Sequence, residues 1–98
     1  EEIFVSKTTL LELEWVLRAA YELSVAAIIR ALRQILGLPN VQAEMPDQLE
    51  KAIDFYEKGI DFADALHLAS CPEGVSFHTF DTAFIKRARS LKAPVKAL

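Results

Sequence analysis

Apolar residues fall along this chain in blocks whose spacing switches between the period of a strand and that of a helix. Ile3-Phe4-Val5 is a short apolar run of β type, and Ser6 behind it is a good helix N-cap. A helix is expected from Lys7 to about Tyr21. Ser24 caps a second one, with Val25, Ile28, Ile29, Leu32 and Leu36 at helical spacing and Gly37 and Pro39 as its stop. Val41 to Met45 alternates apolar and polar residues, the pattern of a short strand. Pro46 opens a third helix, Asp47 to Lys58, with Leu49, Ile53, Phe55 and Tyr56 as its stripe and Gly59 at its end.

Asp61 is the N-cap candidate of a short apolar helix, Phe62 to Cys71. The Pro72-Glu73-Gly74 turn leads into a strand from Val75 to Phe80, and Asp81 stands where that strand gives way to a helix from Thr82 to Leu91. Pro94 to Leu98 suits a final edge strand, where proline is tolerated. Strands alternating with helices imply parallel βαβ units, hence an α/β fold in which a parallel sheet is covered by helices on both faces. In such sheets the ligand site lies beyond the carboxyl ends of the strands, and Asp81 falls at one such end.

Size and composition narrow the class. The 98 residues leave room for one domain, and with just over half of them apolar and a quarter charged the chain suits a compact globule. No apolar run approaches the roughly 18 residues that span a bilayer. The start Glu1-Glu2-Ile3 lacks the basic region of a signal peptide. A lone Cys71 cannot make an internal disulfide, so a reducing cytoplasm is the expected compartment. The chain opens on Glu1 rather than Met, a hint that it is not the whole product.

The net charge of −3 speaks weakly against a nucleic-acid partner, but its distribution says more. Residues 1–81 carry a balance of −8, whereas Thr82 to Leu98 carries five cations and no acid. Lys86, Arg87 and Arg89 are explained blandly as the solvated face of the last helix. They also suit a basic lip beside an acidic pocket, as a metal-dependent nuclease needs.

Several acids occupy unexpected positions. Turned at about 100° per residue, the first helix gathers Lys7, Glu14, Arg18 and Glu22 into one arc, read as its solvent face. Glu14 and Arg18 also form a favourable i, i+4 pair. Glu12 lies off that arc among Thr8, Trp15, Val16 and Ala19. It is either a boundary residue reaching solvent or a carboxylate with a partner, because burying an unpaired charge is costly. Asp64 sits in the first turn of an apolar helix, where the dipole favours it, yet Asp61 at i, i+3 repels it unless a cation intervenes. Asp81 has a capping explanation too. Together, Glu12, Asp64 and Asp81 supply the hard oxygen ligands that Mg²⁺ or Mn²⁺ takes, and Thr79, two residues before Asp81, would orient a carboxylate or a water.

Those residues carry a resemblance. Phe4-Val5-Ser6 followed by Leu10-Leu11-Glu12-Leu13-Glu14-Trp15-Val16-Leu17-Arg18 is similar to the second strand and acidic helix of VapC-type PIN domains. Asp61-Phe62-Ala63-Asp64-Ala65-Leu66-His67 resembles that family's "DFADAL" segment, and Thr79-Phe80-Asp81 with Phe84 its "T-x-D" segment. The three occur in the expected order over nearly the whole chain. The resemblance implies a three-layer α/β/α sandwich, residues 1–98 forming a single PIN-like domain whose first strand is absent from this chain. It implies a Mg²⁺- or Mn²⁺-dependent endoribonuclease, the toxin of a toxin–antitoxin pair, with RNA as substrate, an antitoxin protein as partner, a homodimer as assembly and no membrane.

Carried over, Glu12, Asp64 and Asp81 match the family's second, third and fourth acids. They would be both the catalytic residues and the metal ligands, with Asp61 and Thr79 as accessory positions. The family's first acid lies on an N-terminal strand that nothing before Glu1 supplies. The 98-residue form is therefore expected to bind metal weakly and cleave poorly, with the strands around Ile3 and Val75 lacking a common neighbour.

Other readings compete. A catalytically silent module of the same fold would use its carboxylates as caps and its apolar stripes for partner binding. A phosphotransfer domain with Asp81 as acceptor would need a lysine on a later strand, and Lys96 suits that poorly. His67, Cys71, His78 and Asp81 fit no common zinc spacing. His67 reads instead as a helix-face histidine and Cys71 as a small buried residue.

Overall fold

The computed structural model describes residues 1–72, 77–79, 82–91 and 95–97. In chain order the elements are β1 (Ile3–Val5), α1 (Lys7–Ala19), α2 (Val25–Leu36), β2 (Val41–Ala43), α3 (Pro46–Glu57), α4 (Phe62–Ser70), β3 (Phe77–Thr79), α5 (Thr82–Ser90) and β4 (Val95–Ala97). The fold is α/β, and every strand pairing among the described residues is parallel: β1 with β2, where Phe4 faces Gln42, and β3 with β4, where His78 faces Lys96. The two pairs are separate sheets, and no described pairing joins β1 to β3.

Local signals set the helix starts. The Ser6 hydroxyl accepts from the Thr9 amide at 3.1 Å and the Ser24 hydroxyl from the Ala27 amide at 3.2 Å, each satisfying one of the orphan donors of a helix N-terminus. The start of α3 is different. Met45 enters it in the left-handed region (φ 48°) with no side-chain cap, and Pro46 supplies a fixed φ at the first position. The strand expected to reach Met45 accordingly stops at Ala43. At the other end of α3, Gly59 takes a φ of 104°, which turns the chain towards α4.

The core lies among α2, α3 and α4. Ile28, Ile29 and Leu32 of α2 and Leu49, Ile53 and Tyr56 of α3 are buried, as the periodicity predicts, and Ala52 joins them; Leu36 and Phe55 are half-buried and Val25, at the start of α2, is exposed. Phe62, Ala65, Leu66, Leu68 and Ala69 of α4 join them, with Phe84, Ile85 and Ala88 of α5. Lys7 ties the start of α1 to this body. Its amide donates to Glu44 Oε1 at 2.9 Å, and its ammonium reaches Ser70 Oγ at 2.8 Å and the Gln48 side chain.

The solvent-face reading of α1 needs correcting. Arg18 and Glu22 are exposed, but Lys7 is half-buried and Glu14 is only 1% exposed. The inward stripe is Leu10, Leu13, Glu14 and Leu17, and it turns Trp15 and Val16 outward. Tyr56 of α3 covers the end of that stripe, so the arc holding Glu14 faces protein.

Candidate functional site

The Gly59–Asp64 segment places the carboxylates. Ile60 and Phe62 are buried on either side of Asp61, which leaves the Asp61 side chain at the surface. There its Oδ2 accepts from the Ala63 amide at 3.2 Å, so it caps α4 as expected. Asp64 follows in the first turn, half-buried, where negative charge suits the helix dipole.

Two hollows meet at Asp61. The larger, of about 500 Å³, has a largely apolar wall from Leu11, Trp15 and Val16, with Glu12 and Arg18 beside Asp61 at its polar part. The smaller, of about 210 Å³, lies between Gly59, Asp61, Asp64 and the α5 residues Phe84 and Arg87. Glu12 therefore stands on one side of Asp61 and Asp64 on the other. Glu12 is exposed.

Beside the first hollow is a buried polar pair that reading the sequence missed as such. Glu14 Oε2 accepts from the Tyr56 hydroxyl at 2.9 Å and from Arg18 Nε at 2.8 Å. The expected i, i+4 ion pair is thus present, but with its carboxylate inside and its guanidinium about half exposed. Glu14 holds the Arg18 guanidinium above its usual range, chiefly through that hydrogen bond. Burial, and then the adjoining carboxylate, push the Tyr56 phenol well above its ordinary value. The Tyr56 ring meets Phe62 edge-on, with centroids 5.1 Å apart and planes at 64°. Glu14, Tyr56 and Phe62 thus connect the helix that carries Glu12 to the helix that carries Asp64. The signal available in the sequence was Glu14's register with Leu10, Leu13 and Leu17.

Asp81 lies outside the described residues, and Thr79 is the last residue of β3. Lys86, Arg87 and Arg89 are exposed along α5. His67 is exposed on α4 and Cys71 is half-buried after it. Among the described residues no group of three acids, histidines or cysteines is close enough to hold a metal ion. The donor type suits a hard divalent cation, since Glu12, Asp61 and Asp64 offer oxygen only. The described donors do not complete a coordination sphere by themselves.

Comparison with known proteins adds one positive finding. The PIN domain family model matches residues 1–90. No curated protein and no solved structure matches the sequence significantly.

Proposed function

Because the chain belongs to the PIN domain family, a nuclease-type fold, we propose that it is a ribonuclease that hydrolyses RNA phosphodiester bonds with carboxylate-held Mg²⁺ or Mn²⁺. The observation that carries this reading is the position of Asp61. It shares one hollow with Glu12 and another with Asp64, so acids from α1 and α4 line adjoining hollows. The residues that would hold the ion are Glu12, Asp64 and Asp81, with Asp61 at the margin and Thr79 beside them.

When bound, such an ion lowers the pKa of a coordinated water and offsets charge on the phosphate. The chain's own part is electrostatic and positional. Carboxylates on separate elements present oxygen donors, and the Glu14–Tyr56–Phe62 contacts fix α1 against α4 so that those donors keep their spacing. Lys86, Arg87 and Arg89 on α5 offer positive charge to an RNA backbone. No serine, cysteine or histidine nucleophile is required.

We further infer that the protein acts as the toxin of a toxin–antitoxin pair in the cytoplasm, associating with itself and with an antitoxin. Support comes from the large apolar side chains exposed along and just after α1, with Trp15 58% and Tyr21 69% exposed, which are available to a partner. Among the described residues no helix is long and apolar enough to cross a membrane.

Cleavage of single-stranded RNA by the purified chain tests the nuclease reading, with Mn²⁺, with Mg²⁺ and with EDTA, beside Asp64→Asn. Slow cleavage that needs the ion and is lost in the variant is expected, in keeping with an acid set that lacks its first member. Cleavage indifferent to both EDTA and the substitution would overturn the assignment.

A further inference from the structure

Arg87 is the basic residue of α5 whose exposed side chain lies against another segment of the chain, at Gly59. Gly59 has a bare α-carbon facing it: a methyl added there would lie 3.2 Å from Arg87 Nη1, 3.4 Å from Cζ and 3.7 Å from Nε. Three of the four guanidinium heavy atoms thus lie close to Gly59. The Gly59 backbone is itself turned into the φ of 104° that glycine adopts without strain. Glycine at this position leaves room for the guanidinium, which any larger side chain would crowd.

The seat aims Arg87 at the acids. It lines the same 210 Å³ hollow as Asp61 and Asp64, whereas Lys86 and Arg89 do not. It also lines a second hollow with Lys86 and Ser90, so its fork stands between the carboxylates and the rest of the basic face. The ion pairs among the described residues, Arg18–Glu14, Arg33–Glu50 and Arg33–Asp54, do not include it. A guanidinium that lines the carboxylate hollow and stands outside those ion pairs can present its donors to an anion entering it.

We propose that Arg87, seated on Gly59, is the anchor for a phosphate of the RNA backbone at the edge of the carboxylate site. The proposal rests on the ribonuclease reading and narrows it, since it selects one cation of the three on α5 and gives it a ligand. The planar fork pairs two phosphate oxygens at once, which an ammonium at the same place does not.

The test is binding of a fluorescent single-stranded RNA of about a dozen nucleotides to the full chain, followed by anisotropy in Ca²⁺ over a series of salt concentrations. Arg87→Ala is expected to weaken binding about ten- to hundredfold and to reduce the slope of log affinity against log salt by about 0.7, one single-strand phosphate contact. Arg87→Lys should restore the slope but only part of the affinity, with the thermal midpoint of all three proteins alike. An unchanged slope in Arg87→Ala would overturn the anchor, and a lowered midpoint with that unchanged slope would assign Arg87 a structural role instead. Should the wild-type chain bind no RNA in Ca²⁺, the ribonuclease reading falls and the anchor with it. Binding by the wild type that Arg87→Ala leaves intact sinks the anchor alone.

Discussion

The Tyr56 hydroxyl donates to Glu14 Oε2 at 2.9 Å across a separation of 42 residues, with both side chains almost wholly removed from solvent. A carboxylate in that position needs its donors, because burial strips it of water. Removing one partner should therefore cost more than removing both. Tyr56→Phe is expected to lose about 1–3 kcal/mol, and Glu14→Leu a similar amount by stranding the hydroxyl. The double variant should lose clearly less than their sum. Urea unfolding of the four proteins gives the coupling directly, and additive losses would show that the bond contributes nothing.

The same bond predicts an alkaline limb. The Tyr56 phenol is held above its ordinary pKa of 10.0 in the folded chain. Above about pH 10 the unfolded chain therefore gives up a proton that the folded chain keeps, and the folded state is the one that binds more protons. Stability from this group is full below pH 10 and falls as pH rises beyond it, by at most about 1.4 kcal/mol per pH unit. Relative to Tyr56→Phe, the wild type should lose its advantage progressively as pH rises above 10. Parallel stability curves for the two proteins over that range would contradict this.

Gly59→Ala should destabilise the fold by about 1–3 kcal/mol, because alanine is strained at a φ of 104°. The new methyl would also press on the guanidinium of Arg87 at 3.2 Å. Combining Gly59→Ala with Arg87→Ala removes the second effect and leaves the first. Thermal unfolding of the pair should thus recover part of the loss, and no recovery would mean that backbone strain alone sets the cost.

Trp15→Asp and Tyr21→Asp should leave the folded monomer nearly as stable, since both side chains are mostly exposed. They should abolish self-association if the apolar surface around the end of α1 is where copies or an antitoxin dock. Sedimentation of wild type and variants at matched concentrations decides the point, and an unchanged oligomeric state would remove that surface from consideration.

What the sequence determined by itself was local. Ser6, Ser24 and Asp61 cap helices, Gly59 ends one, and the stripes of α2 and α3 point inward, because caps and 3.6-residue periodicity act within a few residues of where they are read. Tertiary structure decided which side of α1 is inside. A helical wheel places Glu12 and Glu14 about 200° apart but does not say which arc meets protein. Polarity marked Glu14's arc as solvated, and only the arrival of Tyr56 from α3 made it the buried one. The meeting of Glu12, Asp61, Asp64 and Arg87 around two adjoining hollows is of the same kind. The burial or exposure of a charge is settled by donors and apolar walls far along the chain, and spacing along one helix carries no record of them.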